Sequence, residues 1–334
     1  MLEKNSEILF IYGAKLCNPN GDPDDENRPR LDHKTSRNLV SDVRLKRYFR
    51  DYIISRYGEK YIWVSTVGGK NVPSDERGWS LIDQWEGSEK VEGMSKDESE
   101  KWANLIPWLC IDARLFGATV AIRPRGKAKG ASQNFIGPVQ FSWGYSLHPV
   151  EVVDSSTITS IFVGREAREE APEEARRYGT MGKDWRVYYS LIAFYGIVSG
   201  ARAKGTGLRE DDAKLMDQLL WNALGLQATT RSKIGQVPHL YLRTEYSDPG
   251  ILMGDLRGLL DVEIHEPVRD IEDVKIDHCR LVEMLKKNEK VEKVCLRESE
   301  EMNWSNGKRL WNILEQELGK DKVIRLPYKS LDVE

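Results

Sequence analysis

Little in this sequence speaks for metal, redox or membrane chemistry. Its 334 residues include four cysteines and five histidines. Cys17, Cys110, Cys279 and Cys295 are scattered with no CxxC pair, which excludes a simple zinc ribbon and fits free thiols in a reducing cytosol. No histidine stands at metal-ligand spacing from another His or Cys; His278 and Cys279 are adjacent but isolated, so no zinc hydrolase site is expected. GxSxG, Walker A and HExxH patterns are absent. The longest strongly apolar run, Leu191 to Val198, is far too short to span a bilayer. The opening MLEKNSE is charged and lacks the apolar core of a signal peptide. The expectation is a cytoplasmic protein with no membrane partner, no metal and no cofactor. A net charge of one sign is nearly missing too: 50 Lys and Arg against 53 Asp and Glu leave −3, so total charge announces no polyanion ligand.

What the chain does have is a core and one concentration of charge. Ten Trp and thirteen Tyr argue against disorder, and the length suffices for one large domain or two. From Arg28 to Arg50 stand eight cations (Arg28, Arg30, Lys34, Arg37, Arg44, Lys46, Arg47, Arg50) against Asp32 and Asp42. They follow NPNGDPDDE, a Gly/Asn-containing stretch too tightly turned for helix or strand. Clustered cations beside free backbone N–H groups suit the phosphates of a polyanion.

Local patterns predict a strand over Ile8–Leu16, stopped by Pro19, Gly21 and Pro23. Ser41 offers an N-cap to a helix with Leu45, Phe49, Tyr52 and Ile53 on one face. Arg44, Lys46, Arg47 and Arg50 lie off that stripe, towards solvent or a ligand. Tyr61–Val67 reads as a short strand. Residues 70–110 are polar and Trp-rich, an insertion with helices and a small core of its own. Ala118–Ile122 and Pro138–Ser146 read as strands around the basic RPRGKAKG segment, Arg123 to Gly130. Thr157–Val163 and Trp185–Ile197 look extended, with a charged tip at 164–183 between them: a long projecting hairpin. Leu208–Leu224 is an amphipathic helix, and Pro238–Tyr246, Leu259–Glu266, Val291–Leu296 and Val323–Leu326 read as strands. The order is that of an α+β fold with a βαββαβ core and insertions, a familiar platform for RNA.

Each motif has a plainer reading. The acidic loop alternates Asn18, Asn20, Asp22, Asp24 and Glu26 as a Ca²⁺ loop does. Its glycine comes fourth rather than sixth and Pro29 takes the place of the closing Glu, so an Asx-type turn fits better. The basic helix would ordinarily be a solvated face, but its cations are barely interleaved with acids and cannot simply pair along it. Gly205 and Gly207 resemble the start of a dinucleotide fingerprint without its third glycine; a turn before a helix fits better than a small-molecule site, and Arg202 and Lys204 beside it could extend a phosphate track. Arg231 and Lys233 in TTRSKIGQ read as an ordinary polar loop.

Over NPNGDPDDENRPR and LVSDVRLKRYFRDY the chain resembles the Cas-seven backbone subunit of type I CRISPR surveillance complexes (Cascade), most of all the type I-B branch with type I-C close behind. DARLFGA, GPVQFSWGYSLHPV, GTMGKDW and TRSKIGQ follow in the family's order, to about residue 250. The last eighty residues match less clearly. The resemblance implies a right-hand shape. An RRM/ferredoxin-like palm would comprise 1–67, 111–154 and the 188–334 remainder; 68–110 would be helical fingers and 155–187 a thumb hairpin. It implies copies stacked head to tail as a helical filament on one guide RNA (crRNA), with other Cascade subunits as further partners and target DNA reached through the guide. It assigns RNA contact to Ser41, Arg44, Lys46, Arg47 and Arg50, and also to Asn18, Asn20, Arg28 and Arg30. Met181 and Lys183 would be the thumb residues beside a displaced base.

Such a scaffold needs no catalytic residue. It should grip phosphates and leave base edges free, and an apolar wedge can unstack a base of any identity. Four phosphate contacts per copy correspond to a salt slope of roughly −3 on single-stranded RNA, so tight binding would come from many copies on one strand. The alternative is a metal-dependent ribonuclease of the related type III backbone kind, with Asp22, Asp24 or Asp32 and Mg²⁺; the prolines and the lack of a clear second ligand count against it.

Overall fold

A computed structural model describes residues 1–92, 94–126, 130–153, 157–159 and 181–328. The chain opens with β1 (Ser6–Cys17), long and buried almost throughout. Two small hairpins follow: β2 (Gly21–Asp22) with β3 (Arg28–Pro29), and β4 (Leu31–Asp32) with β5 (Arg37–Val40). The stretch expected to be irregular is therefore paired. Its tips rely on left-handed residues, Glu26 and Asn27 in one and Ser36 in the other. After α1 (Asp42–Tyr57), residues 59–61 form a single 3-10 turn and Val67 only bridges Lys70, so the expected strand at 61–67 is absent. Gly68 and Gly69, both at positive φ, turn the chain there.

The insertion holds α2 (Ser74–Glu86), α3 (Ser88–Glu92) and α4 (Lys96–Leu109), the last opened by a Ser95/Glu98 capping box. Then come α5 (Ile111–Phe116) and the hairpin β6 (Gly117–Ile122) with β7 (Ala131–Ile136). Leu81, Ile82, Ala103, Ile106, Val120 and Ile122 close on Trp63 as a separate core, the small core expected of this region. The single strand expected at 138–146 is two, β8 (Val139–Phe141) and β9 (Gly144–Ser146), interrupted at Ser142–Trp143. β10 (Thr157–Thr159) pairs β11 (Met181–Lys183) antiparallel, as at the base of a hairpin, so the last three residues of the tip expected at 164–183 are strand; 160–180 lie outside the described residues, as do 127–129 of the basic segment.

β12 (Val187–Val198) leads to α6 (Gly200–Thr206), α7 (Glu210–Gln227) and β13 (Gln236–Tyr246). β14 (Asp261–Ile264), β15 (Val274–Asp277), α8 (Cys279–Lys287), β16 (Val291–Glu298), α9 (Leu310–Leu318) and β17 (Val323–Arg325) complete the described chain. Gly205, expected in a turn, lies inside α6; Gly207, left-handed, ends it.

The main sheet runs β17-β16-β13-β1-β12-β9-β5-β4, with β8 also on β12. At its centre β1 lies antiparallel between β12 (Phe10↔Phe194) and β13 (Phe10↔Tyr241). Alternate residues of β1 feed opposite faces, as the two-residue period requires. Ile8, Phe10, Tyr12 and Ala14 pack with α1 and α7; Leu9 and Ile11 pack with the C-terminal elements through Leu281, Leu285, Leu310 and Leu314. Both faces being covered, β1 reads as continuously apolar rather than alternating. Among the described residues, no helix is long and apolar enough to cross a membrane.

Candidate nucleic-acid interface

β1 ends where β12 and β13 begin, Cys17 opposite Val187 and Ala14 opposite Gln236. That end of the sheet therefore gathers the 18–20 loop, the base of the β10–β11 hairpin and the turn before β13. The turn is laced to the loop by backbone bonds from Asn18 N–H to Ser232 O (2.8 Å) and from Lys15 N–H to Gly235 O (2.9 Å). Gly235, at φ 108°, presses against the Lys15 carbonyl, which lies 2.1 Å from where a Cβ would sit; only glycine fits.

Lys233 is drawn into this junction, donating to the main-chain carbonyls of Asn18 and Pro19. Burial, and then the Arg44 guanidinium, lower its pKa from the ordinary 10.5 to about 8. Arg44 itself lies over the Tyr48 ring at 4.2 Å. Gln236 Nε2 donates to the Tyr48 hydroxyl (2.8 Å). Cys17, Tyr12 and Tyr48 beside them stay neutral: burial pushes the Cys17 thiol up to about 12 and raises the Tyr12 and Tyr48 phenols. Among the described residues, no carboxylate figures in the charges acting on Lys233, and Arg44 Nε, Asn18 Oδ1, Gln236 Oε1 and Tyr12 Oη are buried without a hydrogen-bond partner. Two converging cations, half-desolvated and with no counter-charge among the described residues, are arranged to take an anion.

The start of α1 adds to this. Ser41 is the N-cap, yet its hydroxyl does not cap; Oγ (2.8 Å) and the backbone N–H (2.9 Å) both donate to Asn20 Oδ1. The first-turn N–H groups keep no side-chain acceptor, and the positive end of the helix dipole adds to Arg44. Asn18 Nδ2 holds the hairpin through Asn27 O (2.6 Å). Arg28 sits 4.3 Å over the Trp185 ring, with Lys183 Nζ at 5.4 Å from the same ring and 3.0 Å from Glu26. Arg30 bonds Asp22 (3.1 Å) and lies 5.8 Å over Trp143. Met181 pairs across the hairpin base with Thr159.

Two of the other cations of the basic helix are placed differently from the expectation. Lys46 and Arg50 do not face solvent but are buried, Lys46 paired to Asp42 (2.9 Å) and Arg50 to Asp112 (2.8 Å). Arg47 is exposed and paired to Asp51 (2.7 Å). The few acids of the helix stand four residues from cations, so pairing along it does occur. Asp112 also accepts from the N–H groups of Trp63 and Val64, so Arg50 ties α1 to α5 and to the Trp63 stretch on which the core of the insertion closes. Arg202 and Lys204 do not join the cluster. They lie on α6 beyond Val198, which pairs with Ser6, a full strand length from Cys17, about 35 Å at the rise of a strand.

The acidic loop takes its plainer reading. Asp22 Oδ1 accepts from Asp24 N–H (3.2 Å), and Asp32 accepts from Lys34 N–H and the Thr35 hydroxyl, bonds that hold its carboxyl below the usual range. Among the described residues, no group of three His, Cys, Asp or Glu is placed to hold a metal ion. Lys233 is the residue that sequence reasoning passed over. Its signal was present in the TRSKIGQ segment, but nothing local said that the turn would fold against residue 18.

The profile of the CRISPR-associated protein Cas7 family matches residues 4–279. A Haloferax volcanii protein described as CRISPR-associated protein Cas7 is 32% identical over 295 residues, covering 84% of this chain and 83% of that one. A chain from a structure titled "CRISPR RNA-guided surveillance complex, pre-nicking" superposes with TM-score 0.53 over 97% of this chain and 96% of its own, at 14% identity, a likeness of fold. The profile spans residues 18 to 233, and the chain belongs to the CRISPR-associated Cas7 family.

Proposed function

We propose that this chain is a non-catalytic, guide-RNA-binding backbone subunit of a type I Cascade, coating crRNA as a head-to-tail filament and presenting it for pairing with target DNA. The observation that carries the reading is the Arg44–Lys233 pair at the uncapped start of α1. Those groups grip phosphate and touch no base edge, as a scaffold for any guide sequence requires.

In this reading β1, α1, β8–β9, β12, α7 and β13 are the RRM-like palm, with strands in the order β13-β1-β12-β9 and a helix after the first and third. The 68–110 insertion serves as fingers and the 155–187 hairpin as a thumb reaching the next copy, with Met181 and Lys183 at its base. Arg44 and Lys233 take phosphates directly; Asn18, Asn20, Ser41, Arg28 and Arg30 shape the loop around them. Lys46 and Arg50 hold α1 and the insertion in place. Arg202 and Lys204, at the far end of the sheet, belong to contacts with another part of the strand or another copy. The partners are the guide, further copies and other Cascade subunits.

The test is to mix the pure protein with single-stranded RNA of guide length in Mg²⁺ and then in chelator, and weigh the product by light scattering. The expected result is intact RNA carrying several copies, their number rising with RNA length in either buffer. RNA cut only in Mg²⁺, or no complex at low salt, contradicts the reading.

A further inference from the structure

Trp143 is 47% exposed, yet the backbone that carries it is fixed on three sides. Ser142 N–H donates to Tyr195 O (2.9 Å). Gly144 lies against the Phe194 ring, which would be 2.5 Å from a Cβ there. The Trp143 carbonyl accepts from Arg257 Nη1 (2.7 Å), and that guanidinium is itself held by Asp255 and by the Tyr145 ring at 4.2 Å. A large apolar ring left in water on a rigid mount is preorganised for a partner.

Its position names the partner. Register pairs Leu39 with Tyr145 and Val40 with Gly144, and one step further sets Ser41 opposite Trp143, beside the start of α1. Arg30 covers one face of the indole at 5.8 Å, and Arg30 N–H is bonded to Asn20 O (3.1 Å), the residue that holds Ser41. Trp185 is a contrast: both Arg28 and Lys183 stand over its ring, and it is only partly exposed. An apolar side chain of another protein would satisfy the Trp143 ring and desolvate the cations around it. A nucleotide satisfies both, its base on the ring and its phosphate among the cations.

We propose that Trp143 is a stacking platform for one nucleobase of the bound strand, adjacent to the phosphate held at the start of α1. This rests on the RNA-binding reading above. Stacking accepts any base, so the platform would fix the position of a nucleotide without reading its sequence.

The experiment compares wild type, Trp143→Ala, Trp143→Phe and Arg44→Ala/Lys233→Ala. Each is titrated with a single-stranded RNA short enough for one copy, and with an abasic strand of the same length. The expected result is that Trp143→Ala weakens binding of the base-bearing strand by roughly 5- to 100-fold with an unchanged salt slope, the range of one lost stack. Trp143→Phe should restore most of it, and on the abasic strand Trp143→Ala should match wild type. If Trp143→Ala binds the base-bearing strand like wild type while the double cation variant is weakened, stacking is wrong and the RNA reading stands. If Trp143→Ala fails only where several copies load on a long strand, the ring is a contact between copies and the proposal falls. If wild type binds neither strand, the RNA reading itself fails and this one with it.

Discussion

The Lys233 ammonium donates to the carbonyl of Asn18, fastening the turn before β13 to the loop after β1 while leaving the charge beside Arg44 with no acid among the described residues to balance it. A phosphate bound there would restore the proton that burial and Arg44 weaken, since an anion favours the charged form. RNA affinity should be flat below pH 8 and fall above it, by up to about tenfold per pH unit, because binding then takes up a proton. Lys233→Arg should flatten the profile. Fluorescence anisotropy with labelled RNA between pH 6.5 and 9.5 reads this directly; a flat wild-type profile would remove Lys233 from the interface.

The same group has the opposite effect on the free protein. Its folded pKa of about 8 lies below the ordinary 10.5, so between those values the unfolded chain holds a proton that the folded chain has lost. Stability contributed by this site therefore rises with pH across that window, and the penalty for burying the charge is fully present below pH 8. Urea denaturation of wild type and Lys233→Met at pH 7 and pH 9.5 should show wild type gaining stability relative to the variant as pH rises.

Asp112 gathers Arg50 and the N–H groups of Trp63 and Val64 on one buried carboxylate. Asp112→Ala leaves a buried guanidinium and two amides without an acceptor, at a cost of about 3–5 kcal/mol. Urea midpoints should fall accordingly, and hydrogen exchange should rise first at residues 62–64. Unchanged stability would mean that the insertion is anchored elsewhere.

Lys46 is held by Asp42 in a buried pair, so Lys46→Ala should disturb α1 while leaving the slope of log affinity against log salt unchanged. A slope that drops by about 0.7, the value of one lost phosphate contact, would return Lys46 to the interface.

Much of this fold was legible in local pattern. The β1 run, the α1 stripe of Leu45, Phe49 and Ile53, the helix after residue 208 and the separate core of the insertion all come from hydrophobic spacing that packing reinforces. The misses share a cause. Residues 61–67 have strand-like composition but no neighbouring strand to pair with, and two glycines turn the chain away. Residues 138–146 are split because the four steps from Phe141 to Tyr145 face only three on β12, from Gly196 to Ala193, so one residue is left over between them. At the candidate interface, charge density pointed to a segment but could not give direction: whether Lys46 and Arg50 face water depends on Asp42 and Asp112, and Asp112 is 62 residues from Arg50 in sequence. Lys233 was illegible for the same reason, since its value lies in a long-range contact with Asn18 and Arg44.

The most direct test is the binding of guide-length single-stranded RNA against salt for wild type and Arg44→Ala/Lys233→Ala, in Mg²⁺ and in chelator. The account expects intact RNA, metal-independent binding, weaker affinity in the double variant and a slope shallower by about 1.4 per copy, the value of two phosphate contacts. A double variant that binds like wild type, with the same slope, would contradict it.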